Sequence, residues 1–403
     1  MVAMIAALSA IGVLTGEGDE AAPQPERASG PSLEQIARRV EQVRELEFKR
    51  LPRVKRISES EARRLALREL DAELPPRILR GEERLLQLLG LLGDDGLRAV
   101  LGKVYSSEIG GFYLPGTDTL YVVGGGGLGV AFGDVVLAHE LTHALEDQHF
   151  GLEQGPLRGR WRDLTGARNA LGEGTATVAM VDYIALTQGG GRDLPPEVRA
   201  QALEALEGVA LPPSSGLPRY FREGLVFPYV AGAQLVNRIE AGGGWEAVDR
   251  AYEAGVPASS EQVMHPASYD ERERPLPVRM GGLRPALPDG ARLAYAADMG
   301  EWDTEQILRD ANGRERSEAA AAGWGGGAFE LWELPGGEDV LAVSWEWDSA
   351  RDAREFEAAA QRSLDALDAE GTVAADRGRV TLVLAPDVRL ARAVAAAVSL
   401  ERR

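Results

Sequence analysis

Three of the four histidines in the chain lie within eleven residues, and their spacing is suited to binding a metal ion. His139, Glu140 and His143 form an HExxH motif, and His149 follows it. On a helix, His139 and His143 are one turn apart on the same face, so both imidazoles can reach one ion while Glu140 projects beside it. For a chain of this composition, about 0.006 matches to the pattern are expected by chance. The spacing therefore predicts a metal site.

The residue types around the motif favour zinc and a hydrolytic reaction. The chain contains no cysteine, so the ion must be held by histidine and carboxylate. The apolar run from Val135 to Ala138 predicts that the motif lies on a buried helix. An acid there is costly unless it is paired or lies beside a metal, which favours a functional Glu140 over a core helix with two satisfied histidines. We expect Glu140 to take a proton from a zinc-bound water and then to protonate the leaving group.

A catalytic zinc ion needs a third protein ligand, and two residues are candidates. His149 has the spacing of the pattern HExxHxxGxxH, but Glu146 stands where that pattern needs a glycine to turn the helix. If the helix continues, His149 lies roughly 240° around the axis from His143 and faces away. Glu173 follows thirty residues after His143, in a segment whose small residues predict a second helix packed closely against the first. Both candidates stay open on spacing alone.

The overall composition limits the classes of partner. A length of 403 residues predicts two domains of ordinary size. The formal net charge of −19 argues against binding to nucleic acid and to anionic membrane surfaces. The acidity mostly promotes solubility. A peptide or protein substrate is expected only from the motif and the resemblance described below.

The first part of the chain is typical of a targeting segment. Residues 2–14 are almost entirely apolar, a length that fits a signal peptide better than a membrane span of about 20 residues. No lysine or arginine precedes them, and residues 16–31 have the composition of a flexible linker. We expect residues 1–31 to be a signal-like or anchor segment with its linker, on an exported or membrane-anchored protein. A cytoplasmic protein is the alternative.

The elements that must position the motif predict an α+β fold. Residues 32–270 show mainly helical patterns, with a β-hairpin at 111–123 whose second strand leads towards the HExxH helix. Proline-rich residues 266–288 indicate a domain boundary. Strand and helix patterns alternate beyond it, so residues 271–403 predict a C-terminal α+β accessory domain.

The sequence HELTHA at residues 139–144 resembles the thermolysin-like peptidases of the gluzincin group. In that group the third zinc ligand is a glutamate on the following helix. The resemblance implies that Glu173 completes the ligand set with His139 and His143, leaving His149 as the alternative.

One position departs from the gluzincin pattern. The acid that usually follows four residues after the ligand glutamate is Thr177 in this chain. Such an acid orients a ligand histidine, so Asp147, Glu146 and Asp182 are the candidates to orient His139 instead.

The chain is also similar to a little-characterised group of prokaryotic zincin metallopeptidases, over most of residues 105–356. The shared segments are Gly111-Phe112-Tyr113, residues 139–148, Leu171-Gly172-Glu173-Gly174, Phe227-Pro228-Tyr229, residues 259–266, residues 322–326 and Trp347-Asp348. This resemblance implies a zincin-like catalytic domain over residues 32–270.

Together the motif and the resemblance imply zinc-dependent hydrolysis of peptide bonds. In zincins the hairpin edge strand before this helix binds the substrate as an added strand, which here corresponds to residues 112–114. A second donor to the oxyanion is usual, and His265, Tyr229 and Tyr269 are the candidates. One alternative is a non-catalytic envelope protein that binds metal or peptide, although Glu140 argues against it. A zinc hydrolase acting on non-peptide amides is another.

Overall fold

A computed structural model describes residues 31–104, 111–123, 133–152, 162–189, 191, 194–207, 216–280 and 282–400. The predicted α+β class is confirmed: most of these residues are helical, and the strands form two separate sheets of three and five strands. The predicted apolar segment at residues 2–14 and the glycine-rich stretch at 124–127 lie outside the described residues.

The described residues fall into two compact units, each assembled from stretches that are not contiguous in sequence. The first unit takes its described residues from 1–72, 100–155 and 168–256, and the second takes them from 73–99, 156–167 and 257–403. The sequence predicts a division of the chain into a catalytic domain at residues 32–270 and an accessory domain at residues 271–403. That division stays a prediction about which part of the chain carries the activity.

The elements are numbered here in chain order. The part of the chain up to residue 270 forms α1 (Leu33–Arg44), β1 (Arg53–Ile57), α2 (Glu59–Glu73), α3 (Pro76–Leu88), α4 (Leu97–Val104), β2 (Gly111–Leu114), β3 (Thr119–Val123), α5 (Asp134–Phe150), α6 (Arg162–Thr187), α7 (Pro196–Glu207), α8 (Arg219–Ala254), α9 (Ser260–Met264) and α10 (Pro266–Asp270). The remainder forms β4 (Arg292–Asp298), α11 (Glu301–Asn312), α12 (Arg314–Ala321), β5 (Trp324–Glu333), β6 (Asp339–Trp347), α13 (Ala350–Ala366), β7 (Gly371–Asp376), β8 (Arg379–Leu384) and α14 (Val388–Leu400).

The small sheet of the first unit contains the predicted hairpin. Its strand order is β1-β3-β2, with β2 antiparallel to β3 and β1 parallel to it. The hairpin turn needs two residues with positive φ, Gly116 at 74° and Asp118 at 51°. Within the described residues β2 pairs with β3 alone, so β2 is an edge strand of this sheet.

The HExxH helix, α5, lies inside the first unit. It is buried without interruption from Leu137 to Glu146. Its apolar side chains pack against Ile36 and Val40 of α1 and against Tyr113 of the hairpin. Because neighbours cover the helix on more than one side, its sequence shows no amphipathic stripe. No helix in the described part of the chain has both the length and the apolar character needed to span a membrane.

The second unit is built on the five-stranded antiparallel sheet, in the order β4-β5-β6-β8-β7. Large aromatic side chains fill its core. Trp345 is fully buried, donates its indole N–H to Thr304 at 2.8 Å and contacts Phe356 edge to face.

A buried arginine links three helices of the first unit. Arg44, at the end of α1, lies 3.2 Å from Glu146 of α5 and 2.6 Å from Asp249 of α8. Its guanidinium also stacks over Trp245, 4.6 Å from the ring centroid. Arg44 and Glu146 are both fully buried, so each charge depends on its partner for compensation.

Replacing Arg44 by alanine is expected to destabilise the protein by about 3–5 kcal/mol, because Glu146 would remain buried without its partner. Urea unfolding followed by circular dichroism measures this loss. Arg50→Ala is the matched control, since Arg50 is exposed and a surface ion pair such as the one it forms with Asp118 contributes little to stability. Equal losses in the two variants would contradict the role assigned to Arg44.

Candidate metal centre

Helix α5 places the two motif histidines side by side in the interior. His139 is 0 % exposed and His143 is 2 % exposed. One helical turn separates them, and their Nε2 atoms lie 3.1 Å apart. The predicted pairing of the two imidazoles on one face is therefore present.

Helix α6 brings Glu173 to the same point. Its Oε2 lies 3.3 Å from Nε2 of His139 and 3.4 Å from Nε2 of His143. For zinc–nitrogen and zinc–oxygen bonds of about 2.0–2.1 Å, the ligands of a tetrahedral site lie about 3.3–3.4 Å apart. The three atoms therefore have nearly the separations that one zinc ion requires.

The protonation pattern of these residues also suits a cation. Burial lowers the pKa of His139 despite its hydrogen bond with Glu173, so this imidazole is neutral. Burial acts on His143 in the same sense, but the charge of Glu173, its hydrogen bond and the charges of Glu140 and Glu146 together outweigh it and raise the pKa of His143 to about 9. In the same way the histidines outweigh burial at Glu173 and hold its pKa below the ordinary value. A divalent cation would take the place of the proton shared by these groups.

Glu140 lies beside this group without belonging to it. Its side chain is 1 % exposed, and its Oε2 accepts the backbone N–H of Tyr113 in β2 at 2.7 Å. Its Oε1 is buried and has no hydrogen-bond partner among the described residues. Burial raises the pKa of Glu140 to about 7, against the opposing effects of His143 and of the Tyr113 N–H. A carboxyl group with such a pKa can both accept and return a proton near neutral pH.

Tyr229 is the candidate donor that lies in the same cluster. Its ring stacks on the imidazole of His139, with a centroid distance of 5.9 Å and an angle of 19° between the planes. Burial, the charges of Glu173 and Glu140 and a hydrogen bond with Glu173 hold the pKa of Tyr229 well above 10. The tyrosine is therefore a neutral phenol that contacts the imidazole of His139 and the carboxylate of Glu173.

The alternative third ligand, His149, and the other two candidate oxyanion donors, His265 and Tyr269, lie elsewhere. His149 is exposed near the end of α5 and donates to the backbone carbonyl of Glu47 at 2.9 Å. His265 belongs to the second unit, where it donates to Glu301 at 2.7 Å. Tyr269 also lies in that unit, on α10.

The acids proposed to orient His139 have other partners too. Asp147 accepts the hydroxyl of Tyr113, Glu146 pairs with Arg44, and Asp182 pairs with Arg199. The Nδ1 atom of His139 has no hydrogen-bond partner among the described residues. The three acids instead join α5 and α6 to neighbouring elements. Asp147 holds the side chain of Tyr113, whose backbone N–H donates to Glu140.

Two glycines set the position of Glu173. A Cβ on Gly174 would overlap the backbone of Gly232 in α8, and a Cβ on Gly232 would overlap the carbonyl of Ala170 in α6. The backbones of α6 and α8 are thus in direct contact, one residue from Glu173. The small residues around Glu173 were expected to pack α6 closely against α5. For Gly174 this expectation is corrected, because this glycine packs against α8.

The comparisons with known proteins bear on the second unit. A family model described as a domain of unknown function, DUF8575, matches residues 291–402. No curated protein and no solved structure matches the chain.

Gly174→Ala is expected to reduce zinc affinity by about tenfold or more, because the added methyl group must push α6 away from α8 and displace Glu173. Zinc binding by the purified protein, measured by competition with a chromophoric chelator, tests this. Gly172→Ala is the matched control, since a Cβ at Gly172 meets no atom within 4 Å. The same loss in both variants would show that helix packing at Gly174 does not position the ligand.

Glu173→Ala is expected to lose bound zinc, whereas His149→Ala retains about one zinc ion per chain. The reason is geometric, since Glu173 meets both motif histidines and His149 contacts Glu47. Metal analysis after gel filtration measures the content. Zinc loss in the His149 variant with retention in the Glu173 variant would assign the third ligand to His149.

Proposed function

We propose that the protein is a zinc-dependent hydrolase that cleaves peptide bonds, with His139, His143 and Glu173 as the zinc ligands. The observation that carries this proposal is the placement of Glu140. A buried carboxylate adjoins the three ligand side chains, outside the ligand set, and is held by the backbone of an edge strand. A purely structural metal site has no use for such a group, whereas hydrolysis needs a base at this position.

When bound, zinc would supply Lewis-acid activation of water and of the substrate carbonyl. Glu140 would accept the proton of the attacking water on Oε1, the oxygen that has no partner within the described structure. The Tyr113 N–H holds the other oxygen, so the carboxylate keeps one orientation throughout. Glu140 would then return the proton to the leaving amine. Tyr229, a neutral phenol beside His139, would orient Glu173 through its hydrogen bond, and the same O–H could instead donate to developing negative charge during the reaction.

The edge strand supports a peptide as the substrate. In an antiparallel pair, backbone groups point alternately to the neighbouring strand and away from it. The Tyr113 N–H points away from β3, towards Glu140, so the unpaired edge of β2 runs along the side where the carboxylate lies. An extended peptide that added to this edge would bring its own backbone next to the base and the zinc ligands.

Glu140→Gln is expected to retain zinc and fold while hydrolysis of a peptide library falls by about 10²-fold or more. The amide keeps the size of the side chain but cannot accept the proton. Cleavage is followed by mass spectrometry, with zinc content and circular dichroism measured on the same samples.

Glu246→Gln serves as the control, because Glu246 is a highly exposed acid of α8. The proposal fails if the zinc-loaded wild-type protein cleaves no peptide in a broad library. It also fails if the Glu140 variant cleaves as fast as the control.

A further inference from the structure

A second group of acidic side chains lies in the other unit and is not used by the proposed reaction. Glu261 of α9, Glu273 and Asp348 place one carboxylate oxygen each within 4.8 Å of the other two.

The backbone holds these three residues together. The side-chain amide of Gln262, next to Glu261, donates to the carbonyl of Glu273. Further along the same stretch, the N–H of Leu276 donates to the carbonyl of Gly325 at the start of β5. At that end of the sheet Trp324 pairs with Trp347, which places Asp348 beside the stretch. Three separate segments thus converge on one point.

The buried carboxyl groups at this point have few partners among the described side chains. Glu261 is only 4 % exposed; Ser268 donates to its Oε1 at 3.5 Å, and its Oε2 has no hydrogen-bond partner among the described residues. Glu301 is 1 % exposed; His265 donates to its Oε1, and its Oε2 likewise lacks a partner there. Burial and the neighbouring charges of Glu301, Glu273 and Asp348 raise the pKa of Glu261 to about 8, so this carboxyl group holds a proton that a cation would replace.

We propose that Glu261, Glu273 and Asp348 bind a hard divalent cation, Ca²⁺, independently of the zinc centre. All three ligands are carboxylate oxygens, which Ca²⁺ prefers and which contrast with the two imidazoles of the zinc ligands. Ca²⁺ takes six to eight oxygen ligands at about 2.3–2.6 Å in flexible geometry, so it suits carboxylate oxygens that lie within 4.8 Å of one another on three segments, whereas Mg²⁺ requires nearly octahedral geometry at about 2.0–2.1 Å. The ion would satisfy the unpartnered oxygen of Glu261 and tie α9 to the end of the sheet.

Thermal unfolding of the full chain, freed of metal by a chelator and reloaded with zinc, tests the site. Ca²⁺ should raise Tm of the wild-type protein, because the ion binds only the folded cluster. Asp348→Asn should abolish this rise. Without Ca²⁺ the same variant should be more stable than the wild type, since it loses one repelling charge; with Ca²⁺ it should be less stable. Asp376→Asn, which removes an exposed acid of β7, is the matched control and should behave as the wild type.

Luminescence of Tb³⁺ provides a second readout that does not depend on stability. Trp347 directly precedes Asp348, so its excitation should sensitise a bound Tb³⁺ ion, and Ca²⁺ should displace that ion. Asp348→Asn should weaken Tb³⁺ binding by about tenfold or more. The proposal is overturned if Ca²⁺ leaves Tm of the wild-type protein unchanged, or if the Asp348 and Asp376 variants bind Tb³⁺ equally. Zinc content and peptide cleavage are separate measurements, so failure here leaves the zinc centre to its own tests.

Discussion

The interior of the first unit has to hold four ionisable side chains, His139, Glu140, His143 and Glu173, each at most 2 % exposed. Burying a charge is costly unless it is paired, so this group constrains everything around it. The two imidazoles and the Glu173 carboxylate compensate one another, which leaves Glu140 as the group without an ionic partner of its own. Its compensation comes from a backbone N–H of the edge strand, and this places the base and the edge strand side by side.

The surrounding scaffold maintains that arrangement through contacts that allow little adjustment. Gly174 and Gly232 bring the backbones of α6 and α8 into direct contact one residue from Glu173, so a side chain at either position would force the two helices apart. In α5, Arg44 holds Glu146 about one turn beyond His143. Buried contacts therefore hold both helices that carry the cluster, and the proposed metal site would need preorganisation of this kind.

Local patterns predicted the parts of the fold that depend on neighbours in sequence. The HExxH helix and the hairpin at 111–123 are present, as is the alternation of strands and helices beyond the proline-rich segment. Features decided by distant residues were not predictable. None of the acids proposed for His139 contacts it, because Tyr113, Arg44 and Arg199 reach them from other segments. Strands β4 and β7 were missed for a related reason, since their mixed sequences gain their order from pairing with β5 and β8.

The two clusters proposed as metal sites differ in the atoms that would bind the ion. This difference would determine which ion each cluster selects. In the first, two imidazole nitrogens and one carboxylate oxygen form a small, nitrogen-rich set, which favours zinc over calcium. In the second, carboxylates from three segments converge with no nitrogen ligand among them, which favours a larger, harder ion. A chain without cysteine has only these two ligand chemistries for separating metals.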